Sequence, residues 1–295
     1  MNIKLFVKLT KMNQLAYILL PILMGYIYSL YQYDSIHWGV SFLLVIAMIS
    51  FILGIQLMKE LTIYRNANAA TESETMIGRY QMDIAKIRVL IMSFMATSGV
   101  LMLLITLLTH WEFLLLAIIP FVLGIFYATG RRPLYKTPLA ELISSFGCGF
   151  SVPLLLIYAN VYEEQTSWLS FLIEVFWISL PFIFSFAMIQ LAHDSVAAQK
   201  DESNITLAGI MGRHTTDGVI EFATILSFIF PSISIYFNYA PGVMILMWLM
   251  FPKIWMDIKQ FIRQKQQAKE LPLIHVGAEM IMIFQVLLYM LGVFF

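Results

Sequence analysis

Two stretches of the chain gather acids and bases in a pattern that could handle a phosphorylated substrate. The first offers Glu60, Glu72, Glu74 and Asp83 beside Lys59, Arg65 and Arg79. The second offers Asp194, Asp201 and Glu202 beside Lys200 and Arg213. Acids at helix ends suit Mg²⁺, a hard cation commonly held by one or two carboxylates together with substrate phosphates. Neighbouring lysines and arginines suit a diphosphate, to which they give charge-assisted hydrogen bonds. Asp194 and Asp201 are seven positions apart and share a face wherever that segment is helical. The two stretches also echo each other. One begins Lys59-Glu60 and reaches Gly78-Arg79, the other begins His193-Asp194 and reaches Gly212-Arg213, with an acid-to-glycine spacing of 18 in both. That fits an element used twice around a central cavity, with Glu60 and Asp194 on opposing walls. The plain alternative is two ordinary loops, polar because water surrounds them.

The elements that must position these residues are membrane helices. Of the 295 residues, 60% are hydrophobic and only 12% charged. Soluble domains carry roughly 45–50% and about 25%. Too little polar surface remains to cover a water-facing globule, so residues 1–295 read as one all-α polytopic membrane domain. Disorder, a coiled coil and nucleic-acid binding are excluded, and the net charge of zero implies no charged macromolecular partner. A crossing needs about 20 mostly apolar residues. Nine stretches qualify: 15–31, 37–58, 87–108, 111–127, 139–158, 168–192, 219–237, 240–256 and 273–295. The turn signal Asn238-Tyr239-Ala240-Pro241-Gly242 separates the seventh from the eighth. Lys4, Lys8 and Lys11 precede the first like the start of a signal peptide, but no small-residue cleavage site follows, so it reads as a retained helix.

Charge orients the set. With the N-terminus inside, all 18 lysines and arginines fall in or at the edges of the inside segments 1–14, 59–86, 128–138, 193–218 and 257–272. The outside turns around Tyr33, His110, Tyr162 and Asn238 hold none and carry Asp34, Glu112, Glu163 and Glu164 instead. The positive-inside rule thus gives nine helices, N-in and C-out, in a cell membrane, with both long loops facing the cytoplasm.

The third inside loop reads Tyr127-Ala-Thr-Gly130-Arg-Arg-Pro133-Leu-Tyr-Lys-Thr-Pro138-Leu-Ala-Glu141. Part by part, its glycine and prolines make a turn and its basic residues obey topology. As a string it resembles the segment after the fourth helix in the UbiA superfamily of membrane prenyltransferases. The match is best to the menaquinone branch, the dihydroxynaphthoate polyprenyltransferases, with their Tyr-Thr-x-Gly-Pro-x-Pro run followed by Pro-Leu-Gly-Glu. Tyr127, Gly130, Pro133, Pro138, Leu139 and Glu141 match, while Arg131 replaces a proline and Ala140 a glycine. Thr206-Leu207-Ala208 with Gly212-Arg213 is similar to the tail of the family's second signature, and Gly78-Arg79 to the end of its first loop. Nine helices with long loops after the second and sixth extend the resemblance over most of the chain.

The resemblance implies a bacterial cytoplasmic-membrane enzyme that transfers a polyprenyl chain from its diphosphate, with Mg²⁺, to an aromatic acceptor such as dihydroxynaphthoate. It implies catalytic roles for Asp194 and Glu60, substrate contacts from Tyr127 and Glu141, and metal ligation by Glu60, Asp194 and Asp201; from their charge, Lys59 is read as a catalytic fixed cation and Arg65, Arg79, Lys200 and Arg213 as diphosphate contacts. The signatures are degenerate, however. In Asn-Asp-x-x-Asp with a third Asp six residues on, Lys59 takes the Asn place, Glu60 the first Asp, Ile63 the second and Ala69 the third. In Asp-x-x-x-Asp, Asp194 keeps the first place and Ala198 takes the second; His193 stands where Arg is common, and Asp201 is the displaced substitute. A catalytically inactive relative that binds a quinone or polyprenyl lipid is therefore a second reading, and a transporter built of two echoing halves a third.

Other residues have plainer expectations. Glu141 opens the fifth helix, where a carboxylate favours the helix N-terminus. Glu174, Glu221 and Glu279 lie in or near spans, where ionisable groups are costly and usually functional, although Glu174 sits near the outer end and can also reach water. His193 has no second histidine at ligand spacing and is not read as a metal ligand. Gly147-Cys148-Gly149 reads as small-residue helix packing.

Overall fold

A computed structural model describes residues 9–10, 12–67, 72–130, 133–163, 167–197, 206–264 and 271–294. The expected residues Lys200, Asp201 and Glu202 lie outside these. Among the described residues every regular element is helical. In chain order they are α1 Met12–Tyr33, α2 Trp38–Arg65, α3 Met76–Arg79, α4 Ile84–Leu108, α5 Glu112–Ala128, α6 Ala140–Val161, α7 Trp168–Ala197, α8 Leu207–Tyr236, α9 Phe251–Gln264 and α10 Leu271–Phe294. Six of them, α2, α4, α6, α7, α8 and α10, are long and apolar enough to cross a membrane. Large apolar side chains stand outward on them, including Met92, Leu107 and Phe222. Such outward apolar bands suit hydrocarbon, where helices satisfy their own backbone.

Two expected spans take different forms, for local reasons. The stretch expected to span 240–256 is a 3-10 helix over Gly242–Leu249 followed by α9. Pro252 falls in the first turn of α9, where its missing N–H costs no helix hydrogen bond. α9 is amphipathic: Ile254, Ile258 and Phe261 are buried, whereas Lys253, Gln260 and Arg263 are exposed. The seventh span starts not at 219 but at Leu207, with a break at Gly212, whose φ of 72° and ψ of 168° suit only glycine. Beyond the break, the Thr216 hydroxyl donates to the Gly212 carbonyl at 2.8 Å.

The chain forms two compact units, one of Met1–Ala16 with His37–Tyr135 and the other of Tyr17–Ile36 with Lys136–Phe295. In the first, Leu57 and Leu61 of α2 pack with Ile77 of α3 and Ile87 and Ile91 of α4. The intervening turn is pinned at three points. The Tyr64 hydroxyl donates to Glu72 Oε1 at 2.6 Å, Thr75 Oγ1 caps α3 by accepting from Gly78 N–H at 3.0 Å, and Asp83 caps α4 by accepting from Ala85 N–H at 2.9 Å. Each cap satisfies a helix N–H that would otherwise lack a partner.

In the second unit α6 carries a π-helical turn over Gly147–Ser151. A Cβ at Gly149 would sit 2.7 Å from the Ile183 nitrogen of α7, so the two backbones touch there and the small-residue packing expectation holds. Gly149→Ala is expected to cost about 1–3 kcal/mol through overpacking. A lower melting temperature of the detergent-solubilised protein would register it; an unchanged one would mean that α6 and α7 do not approach so closely.

Candidate functional site

The acid-and-base stretch at the end of α2 is built around Lys59. Its ammonium lies 4.9 Å from the Tyr135 ring centre and 5.4 Å from that of Tyr127. The two rings are 6.3 Å apart and tilted by 58°. Each ring face attracts the cation, so the lysine is held by two aromatic faces. Glu60, the next residue, is buried at 5% exposure. Burial and, second, the charge of Glu60 push the Tyr135 phenol up to about 12. Tyr135 therefore keeps its proton at neutral pH and serves as a ring and a hydroxyl, not a base. Tyr127 was readable from the loop motif; Tyr135 was not, because nothing in the sequence aims it at Lys59.

Other members of the first stretch are engaged locally. Glu72 is tied to Tyr64, and Asp83 caps α4 while pairing with Lys86 at 3.7 Å. Arg65 and Arg79 are exposed, as is Arg213 in the second unit. All three are available to an anion; the fold does not bury them in pairs.

The second unit brings Asp194 and Glu141 together. Asp194, near the end of α7, accepts from Gln190 Nε2 at 3.1 Å through Oδ2. Glu141, in the first turn of α6, is 2% exposed and lies near enough to Asp194 for the two acids to interact electrostatically. Its Oε1 accepts from Leu207 N–H at 3.0 Å. Glu141 thus stands in the first turn of its own helix, as expected, and also supports the N-terminus of α8. Thr206 shares the task, accepting from Gly209 N–H at 3.3 Å. Among the described residues, no three His, Cys, Asp or Glu side chains gather as a ready-made metal centre.

Beside Asp194 the fold supplies what the spacing of His193 lacked. His275 of α10 places its Nε2 2.7 Å from His193 Nε2, with the rings at 79°. In such a bond one nitrogen donates and the other accepts, so one ring of the pair is neutral. Only the packing of α7 against α10 reveals this, since the two residues are 82 positions apart.

Two of the three intramembrane glutamates have fixed partners. Glu174 does not reach water: it is 9% exposed, and its Oε1 accepts from the Tyr28 hydroxyl at 2.7 Å and the Tyr33 hydroxyl at 3.0 Å. Glu221 pairs with Lys259 of α9 at 2.6 Å, whose ammonium also lies 4.8 Å from the Trp255 ring centre. These carboxylates join helices.

No protein-family model and no curated protein sequence matches the chain. Solved structures do. A digeranylgeranylglyceryl phosphate synthase superposes with a TM-score of 0.69 at 15% identity over 98% of each chain. A UbiA homologue from Aeropyrum pernix K1 superposes with a TM-score of 0.67 at 13% identity, over 90% of this chain and 94% of its own. A UbiA homologue from Archaeoglobus fulgidus bound to DMAPP and Mg²⁺ gives 0.61 at 10% identity over 98% of each chain. At such low identities what is shared is the fold, and the chain has the fold of these UbiA homologues along nearly its whole length.

Proposed function

We propose that the chain is an integral-membrane prenyltransferase of the UbiA type. It moves a polyprenyl chain from its diphosphate to an aromatic acceptor, and dihydroxynaphthoate, in menaquinone synthesis, is the acceptor we favour. The observation that carries this reading is the likeness in fold, over 98% of both chains, to a homologue bound to DMAPP and Mg²⁺. The residues assigned to the reaction are Asp194, Lys59 and Glu60, with Arg65, Arg79, Lys200 and Arg213 for the diphosphate and Tyr127 for the substrate. Asp201 remains a proposed ligand.

The donor set fits Mg²⁺: Glu141 Oε2 is buried without a hydrogen-bond partner beside a second acid, an arrangement that a hard cation satisfies. Bound there, the metal would supply charge to neutralise the departing diphosphate, worth several kcal/mol. The chain's own contribution is positional. Lys59, held between two rings, is a preorganised positive charge, and such a charge acts on a developing anion at no reorganisation cost. Asp194 is oriented by Gln190. The C1–O bond of the prenyl diphosphate breaks with its electron pair on the diphosphate, an electron-rich ring carbon supplies the pair for the new bond, and that carbon then releases the group it carried, as a proton to solvent or as carbon dioxide, to restore the aromatic ring.

The test uses purified protein with a polyprenyl diphosphate, dihydroxynaphthoate and Mg²⁺, following prenylated product and released diphosphate together. Neither product nor diphosphate would overturn the enzyme reading. The second reading, a lipid- or quinone-binding relative without chemistry, draws on Ile63, Ala69 and Ala198, which stand where the family has carboxylates.

We further propose nine crossings, N-in and C-out, in a bacterial cytoplasmic membrane. α1, α5 and the Gly242–Gln264 segment would be the three crossings beyond the six long apolar helices. A reporter fused after Phe295 is expected outside and one inserted within 193–218 inside. An inside C-terminus would remove the nine-crossing topology.

A further inference from the structure

The outward side of α8 carries an open groove where the helix passes from polar to apolar sequence. The groove measures about 560 Å³ and is lined by His214, Thr215, Gly218, Val219 and Phe222. From His214 to Phe222 is about 12 Å along the helix axis. The apolar run of α8 starts at Val219, so the groove straddles the level at which α8 enters hydrocarbon. Gly218 makes the hollow, since a Cβ there would meet nothing within 4 Å. The two ends differ in chemistry. At one, His214 and Thr215 are exposed, and neither makes a hydrogen bond to another described residue. At the other, Gly218, Val219 and Phe222 present apolar surface. Ligand sites commonly combine mostly apolar lining with a few polar groups in this way. The matching ligand accepts hydrogen bonds at its head and carries a hydrocarbon tail.

The charges beside the groove narrow the choice. His214, Gly218 and Phe222 stand at i, i+4 and i+8, and Arg213, Asp217 and Glu221 form the next stripe of the same helix. Lys259 of α9 closes that stripe by pairing with Glu221 at 2.6 Å. Two bases and two acids thus run along one side of the groove. A head with one charge of each sign is complementary to such a stripe, whereas the acids repel a wholly anionic head, a diphosphate most of all. We propose that the groove binds one phosphatidylethanolamine from the leaflet that α8 enters at its N-terminal end. Its phosphate accepts from His214 and Thr215, its ammonium faces the acids of the stripe, and an acyl chain lies over Gly218 and Phe222. The proposal goes beyond prenyl transfer and rests only on α8 crossing the membrane.

Native mass spectrometry of the purified full-length protein tests it, with dioleoyl phosphatidylethanolamine, dioleoyl phosphatidylglycerol or geranylgeranyl diphosphate added before release from detergent. Wild type should retain one phosphatidylethanolamine in preference to the other two. Gly218→Leu adds a side chain that the fold has room for and that a helix favours, so its melting temperature should hold. Its retention of phosphatidylethanolamine should fall by about tenfold or more, because the groove is filled. Gly99→Leu, at an equally open glycine of α4, should match wild type. Thr215→Val removes one donor and should weaken retention by about three- to tenfold. Asp217→Asn should lower the preference for phosphatidylethanolamine over phosphatidylglycerol by about threefold. Wild-type retention in Gly218→Leu would overturn the proposal. So would an equal loss in Gly99→Leu, which would mark lipid that coats the whole surface. A wild type that prefers phosphatidylglycerol, or that holds geranylgeranyl diphosphate in a way Gly218→Leu abolishes, would also overturn it.

Discussion

Asn in place of Asp194 is expected to lower kcat by about 100-fold or more, and Gln in place of Glu60 to cost less. Metal stabilisation of a departing diphosphate is worth several kcal/mol, and about 1.4 kcal/mol is tenfold in rate. Removing a ligand that orients that charge forfeits a large part of it. Asp194 is the carboxylate that keeps its place in the signature. It is also oriented by the Gln190 amide at 3.1 Å. Asn preserves the shape and an oxygen for Gln190, so the loss reads charge and not folding. Glu60 is buried beside a lysine and near Tyr135, so part of its charge is spent on its neighbours. Turnover numbers with saturating prenyl diphosphate, alongside melting temperatures of both variants, would decide the order. Robust turnover indifferent to Asp194 would remove the whole placement of the site and send the search to Asp201 and Glu202.

The fold was legible because membrane helices are written in one variable. Hydropathy alone marks α2, α4, α6, α7, α8 and α10, and the Asn238 turn is readable from its dipeptides. What went unread depends on chemistry finer than hydropathy. The span expected over 240–256 opens as a 3-10 helix over Gly242–Leu249, and Gly212 breaks the helix that opens at Leu207, yet both stretches look ordinary in an apolar average. The site divides in the same way. Lys59, Glu60, Asp194 and Glu141 are visible as charged residues at helix ends, where charge is costly enough to be informative. Their partners are not. The Lys59 ammonium is held by one ring from the last turn of α5 and one from beyond it, and His193 meets a histidine on the last helix. Glu141 lies in the first turn of the helix it begins, as its position suggests, but its bond to the N-terminus of α8 comes only from tertiary packing.

Replacing Lys59 with Met is expected to cost at least about tenfold in kcat, since a preorganised cation near a departing anion supplies a few kcal/mol. Met keeps the length and the apolar stem while removing only the charge. The residue stands where the UbiA signature has Asn, and in the proposed reading the cation substitutes for part of the missing metal ligation. The two tyrosines sharpen the test. Tyr127→Leu or Tyr135→Leu removes a ring face worth about 0.5–2 kcal/mol to the ammonium, and should lower kcat by a smaller factor than Lys59→Met. Tyr135→Phe keeps the face and should keep most of the rate. With the Tyr135 phenol at about 12, the rate between pH 6 and 9 should show no ionisation belonging to it. Restoring the signature, Lys59→Asn with Glu60→Asp, Ile63→Asp and Ala69→Asp, should make turnover depend more steeply on Mg²⁺, because metal charge then replaces fixed charge. If Lys59→Met turns over like wild type while Asp194→Asn does not, the lysine is a topological charge resting between two rings. The diphosphate would then be held by the exposed arginines alone.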